Sequence, residues 1–144
     1  MEELLELRGY IEQQRYPEAL HLIEEMEEMS REDKVNKIRS FMEVLLIHLI
    51  KQMAEKRSTR SWELSIKHAL RQIYRTNHRH KAHGTYLNQQ ELQDFITKSY
   101  LDAVEYAASE AFGGAFSPTQ LGQMVDRHTI EQQALTLIQN YREE

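Results

Sequence analysis

Three histidines fall within six residues, at His78, His80 and His83. Imidazoles so spaced can ligate a transition metal when a loop brings them round. Arg79 and Lys81 stand between them, and two fixed cations oppose a divalent ion in the same loop. A solvated basic connection at a helix C-terminus, where positive charge meets the negative end of the dipole, accounts for the cluster better. Glu18 and His21 make one Glu-x-x-His element, whereas a di-metal carboxylate bundle needs two, with two further glutamates facing inward. Glu91, Asp94, Asp102 and Glu105 repeat at helical spacing around Lys98, which predicts an exposed face carrying Asp94–Lys98 and Lys98–Asp102 pairs. His48 lies between Ile47 and Leu49 and reads as a core histidine held by a hydrogen bond. Cysteine is absent, which removes thiol catalysis and zinc-thiolate sites. With no Gly-rich phosphate loop and no nucleophile motif, the expectation is a non-enzyme with no catalytic residue, metal or cofactor.

The elements that would carry these residues are helices. Five Gly and two Pro in 144 residues leave too few turn formers for a many-stranded sheet. Leu4, Leu7 and Ile11 predict a first helix over residues 2–14, and Pro17 opens a second with Leu20, Ile23 and Met26. Ser30-Arg31-Glu32-Asp33 has the form of a capping box. Behind it Val35, Ile38, Met42, Leu45, Leu49 and Met53 predict a central helix of about 24 residues, roughly 36 Å long. Residues 57–61 break the pattern, with Ser58 or Ser61 as cap, and Trp62 reads as a core anchor opening the next helix. Asn88 to Glu91 caps a long helix ending at Gly113-Gly114; Ser117-Pro118 starts a short one, and Thr129 starts the last. The chain reads as one all-α domain over 1–144, an irregular antiparallel bundle of six to seven helices. Within it, 1–29 form an N-terminal helical hairpin, 30–112 the central long helices and 113–144 the short C-terminal ones.

Charge is sorted along the chain. Residues 1–33 carry −8, residues 34–83 carry +9 and residues 84–144 carry −6. Acidic helices covering a basic middle would explain this within one molecule, each exposed pair contributing only about 0–1 kcal/mol. Alternatively the basic segment is a face for an acidic partner, with Lys67, Arg71 and Arg75 on one helix side at spacings of four. Nucleic acid is the less favoured partner, because a pI near 5.8 is low for such modules. Arg75 followed by His80 satisfies the loose Arg-x4-His pattern that resembles HEPN-type ribonucleases, in which the His is an acid–base and the Arg stabilises phosphorane charge.

Leu45-Leu46-Ile47-His48-Leu49-Ile50-Lys51, followed by Arg57-Ser58-Thr59-Arg60-Ser61-Trp62, resembles the domain-of-unknown-function family DUF29, abundant in cyanobacteria. The upstream Leu22-Ile23-Glu24-Glu25-Met26-Glu27 and Ser30-Arg31 look like that family's Leu-Ile-Glu-Glu-Ile-Glu and Ser-Arg blocks. The chain lacks the Trp-rich opening and the aromatic insert after the lysine that many members show, and so resembles a divergent branch. The resemblance implies an all-helical fold and brings no activity. It directs attention to the junction of the third and fourth predicted helices, which reads either as a polar core in which His48 hydrogen-bonds the start of the following helix or as a surface for a partner. The candidate binding residues are His48, Lys51, Arg57, Arg60, Trp62, Lys67, Arg71 and Arg75.

No segment approaches 18 consecutive apolar residues, and Met1-Glu2-Glu3 is acidic where a secretory signal would be basic. A cytoplasmic interaction or adaptor module is therefore expected, bound to a protein partner or to a second copy of itself and not to a membrane. The alternative is an RNA-binding or RNA-cleaving protein using the basic segment.

Overall fold

The computed structural model describes residues 2–79 and 84–143, and among these it contains six α-helices and no strand. They are α1 (Glu2–Glu12), α2 (Tyr16–Glu55), α3 (Arg60–Asn77), α4 (Gln89–Glu110), α5 (Pro118–Gln123) and α6 (Arg127–Asn140), with a 3₁₀ turn at Ala111–Gly114 between α4 and α5. The all-α bundle expected from the periodicity is what forms.

Its spine is α2, a single helix of 40 residues and about 60 Å at 1.5 Å per residue. Ile38, Met42, Leu45, Leu46, Leu49 and Ile50 are all buried along its second half, where α3 and α4 pack against it. The break expected at Ser30 does not occur. No Gly or Pro stands between Glu18 and Glu55, so continuing the hydrogen-bond ladder through a serine costs only a fraction of a kcal/mol. A capping sequence without a breaker in front of it need not start a helix. The hairpin expected over 1–29 accordingly has a second arm that runs on into the bundle.

Real stops are conformational. Lys56 takes a left-handed conformation (φ 54°) and ends α2. Thr59, not Ser58 or Ser61, caps α3, its hydroxyl accepting from the Trp62 N–H at 3.1 Å. Asn88 and Glu91 form the full capping box at the start of α4, and Ser117 and Gln120 do so at α5. Phe112, Gly113 and Gly114 all have positive φ, which turns the chain at the expected Gly-Gly. The last helix begins at Arg127, two residues before the expected Thr129.

The first 19 residues of α2 are different in kind. Before Val35 only Ala19 and Leu22 are buried, and α1, which packs on this stretch, has no buried residue. The N-terminal hairpin therefore projects from the bundle as an arm. No described helix is long and apolar enough to cross a membrane.

Candidate functional site

Two adjoining features hold most of the candidate residues: a polar latch at the α2–α3 corner and an open groove beside it. In the latch, Lys51 is only 5% exposed. Its Nζ donates to Glu110 Oε2 at 2.8 Å and lies 4.8 Å from the centre of the Trp62 ring. The Arg57 guanidinium lies over the same ring at 4.7 Å and donates through Nε to Glu55 Oε1 at 3.0 Å. The other Glu55 oxygen accepts the Phe112 N–H at 3.4 Å. Two cations on one indole and two carboxylates behind them tie the end of α2, the start of α3 and the end of α4 together. A buried ammonium needs such partners, because leaving it alone out of water costs several kcal/mol.

Trp62 is half-buried, an edge of this latch and not the core anchor expected of it. His48 is half-buried as well, and its Nδ1 bonds the Val44 carbonyl of its own helix at 2.9 Å. It does not reach the start of α3, because a bond to residue i−4 satisfies the ring locally.

The groove runs between α2 and α3 and is lined by Phe41, Val44, Arg60, Leu64 and His68 over about 590 Å³. The edge of the His68 ring meets Phe41 with centroids 5.6 Å apart. Leu64 is 58% exposed, an uncovered aliphatic at the groove's lip. Arg60 and Lys67 are exposed and Arg71 half-exposed, and none of the three has an ion pair among the described residues. Arg75 is different: its Nε donates to Glu143 Oε1 at 2.8 Å. Of the eight candidate residues, then, Lys51, Arg57 and Trp62 meet in the latch, Arg60 enters the groove, and Lys67 and Arg71 lie on α3. His48 and Arg75 are engaged elsewhere. Leu64 and His68 were not singled out by the sequence; both carry helix-face spacing on α3, but spacing does not say which face is left uncovered.

Among the described residues, the other chemistry-bearing clusters do not assemble into a metal centre. No group of three His, Asp or Glu among the described residues can hold a metal ion. His78 stacks on Tyr74 at 4.0 Å and bonds the Tyr74 carbonyl at 2.7 Å; His80 and His83 lie outside the described residues. His21 pairs with Glu25 at 3.1 Å and not with Glu18. The expected Lys98 pairs do not form either. Asp94 accepts from Gln90, and Glu91 serves the cap and Arg31. Asp102 turns instead toward Glu43 of α2, where burial first and the Asp102 charge second push the Glu43 carboxyl above its ordinary range. Glu43, Asp102 and Glu105 line one cleft with Tyr106 and Ser109.

Among the described residues, the basic middle is only partly neutralised by ion pairs. Lys51–Glu110 and Arg75–Glu143 link it to the acidic C-terminal third. No ion pair among the described residues links it to the acidic arm.

The family model for the domain of unknown function DUF29 matches residues 12–128, and the chain belongs to that family. No curated protein and no solved structure matches it.

Proposed function

We propose that this DUF29 member is a non-enzymatic interaction module of the cytoplasm that holds a protein partner in the groove between α2 and α3. The observation that carries the reading is the groove itself. An apolar floor of Phe41 and Val44, an exposed Leu64 at the lip, and Arg60 and Lys67 nearby without an ion pair among the described residues have the make-up of a small interface, with apolar centre and polar rim. The latch supports the reading by a different route. It fixes the angle between the two helices that form the groove, so that the surface is preorganised and less ordering is lost on binding.

The competing RNA reading uses the same cations but needs Arg75 free, and Arg75 is held by Glu143. The two readings separate in one experiment. A photo-crosslinking amino acid is placed at Leu64, in the groove, and in a control chain at the exposed Gln133 of α6. The interaction reading expects protein adducts at position 64 that survive nuclease and are absent at position 133. Adducts lost on nuclease treatment, or equal capture at both positions, would overturn it.

A further inference from the structure

We infer that the partner is a second copy of this chain, joined by an antiparallel crossing of the two α2 helices; this rests on the interaction reading above and names its partner. Along one side of α2 run Met26, Met29, Asp33, Lys37, Phe41 and Val44, at spacings of three, four, four, four and three. On one continuous helix these positions keep to a single face. Met29 is 58% exposed. Asp33 and Lys37 are exposed and have no ion pair among the described residues. Met26, Phe41 and Val44 are half-covered.

The stripe is its own complement. Reflected about position 35, Asp33 falls opposite Lys37, Met29 opposite Phe41 and Met26 opposite Val44. A two-fold axis at that point makes each of these contacts twice, two of them apolar and one between opposite charges. An isologous interface requires this kind of self-complementary patch, in which residue i meets j and j meets i. A parallel pairing would instead set Asp33 against Asp33 and lay one arm of charge −8 along the other.

The same axis accounts for the groove and the arm together. Glu6 and Tyr10 of α1 share a cleft with Pro17, His21 and Glu25 of α2, so α1 runs back along α2 with its first turns toward Met26. Position 26 faces position 44 of the second copy, and Val44 is a groove residue. Leu4 and Leu5, 48% and 70% exposed, are thereby carried to the groove containing Leu64. The acidic arm meets the cations Arg60 and Lys67, which have no ion pair among the described residues. Arm and groove complement each other in charge and in apolar surface, and each copy has one of both.

The test uses the purified full-length chain in sedimentation equilibrium. The wild type is expected to dimerise. Asp33→Lys and Lys37→Asp should each weaken self-association by about tenfold or more, because each places like charges opposite one another at two symmetric contacts. Both positions are exposed, and unchanged melting curves certify the fold. An equimolar mixture of the two variants should recover the wild-type affinity as a mixed dimer, since opposite charges then face each other at both contacts. An intramolecular role of these residues predicts no recovery on mixing. A monomeric wild type, single reversals that dimerise as tightly as wild type, or a mixture that stays dissociated would each overturn the inference. A monomer whose Leu64 probe still captures another protein would end the self-partner and leave the interaction reading intact. A monomer with a silent probe would end both.

Discussion

The latch predicts opposite outcomes for its two ends. In Glu110→Ala the Lys51 ammonium, 5% exposed, loses its carboxylate at 2.8 Å and keeps only the Trp62 ring at 4.8 Å. Removing one partner of a fully buried pair costs about 3–5 kcal/mol. The Glu110 side chain is 53% exposed, so water screens the pair and recovers part of that loss; about 2 kcal/mol remains. In Lys51→Met the charge is removed together with its need for a partner, and a side chain of similar length stays against Trp62. The cation–π contribution of about 0.5–2 kcal/mol is lost and the desolvation cost of the ammonium is recovered, for a net change within about 1 kcal/mol. For 144 residues the unfolding entropy is about 0.3 kcal/mol per degree, so Glu110→Ala should lower Tm by about 6–7 °C and Lys51→Met by under about 3 °C. Thermal denaturation followed by circular dichroism at neutral pH reads both. If Lys51→Met proves the more damaging of the two, the lysine contributes through contacts other than the Glu110 pair and the account of the latch is wrong.

Two further perturbations address sites outside the latch. Burial, with Asp102 nearby, raises the Glu43 carboxyl above its ordinary value of 4.5; the native state therefore holds this proton more tightly than the unfolded chain does. Stability contributed at this site falls as pH rises from the ordinary value through the raised one. Glu43→Gln should accordingly raise Tm relative to wild type at neutral pH and lose that advantage when the pH is brought below 4.5; a pH-independent difference would contradict the assignment. Asn77 is buried and bridges Leu87 in both directions, accepting its N–H at 2.8 Å and donating to its carbonyl at 3.1 Å. Thr85 also serves that carbonyl, so Asn77→Ala orphans chiefly the N–H. It should cost about 1–3 kcal/mol, readable in urea unfolding as a lower midpoint at unchanged slope.

The helical architecture was legible because the stops were written in residues with few alternatives. Asn88 with Glu91 and Ser117 with Pro118 start helices where expected, and α4 stops at Glu110, three residues before the Gly113-Gly114 turn expected to end it. Ser30 misled because a cap residue acts only where something else has already broken the helix, and nothing between Glu18 and Glu55 does. At the site, the order of Lys51, Arg57 and Trp62 pointed to the right corner, while the acid that holds Lys51 was hidden. Glu110 is 59 residues away, and no spacing rule relates them. The Lys98 pairs failed for a related reason. Proximity at i±4 permits an ion pair, but exposed side chains hold one geometry only when the gain exceeds their lost freedom. Glu43 across the helix interface, not Lys98 along the face, is what Asp102 meets.

The unbroken α2 changes what the sorted charge means. Were the chain to stop at Ser30, the acidic stretch would be free to fold back on the basic one, and the sorting would be consumed within a single molecule. A continuous helix forbids that. It holds the acids at its start, such as Glu18, about 50 Å from the lysine near its end, Lys51, farther apart than salt allows charges to act. Within the molecule the arm's acids come close to the basic segment at Arg79, which shares a cleft with Glu24, Glu27 and Glu28. The C-terminal acids Glu110 and Glu143, brought round by the bundle, engage Lys51 and Arg75; Arg60 and Lys67 have no ion pair among the described residues. The same continuity places Met26, Met29, Asp33, Lys37, Phe41 and Val44 on one face. A break at Ser30 would rotate the first two away from the rest and destroy the palindrome. Inserting one residue between Ser30 and Asp33 should therefore abolish self-association while leaving the bundle from Val35 onward folded, since a one-residue shift turns the arm by about 100° relative to that face. Retained dimerisation in such a chain would mean that the arm and the stripe do not act as one surface.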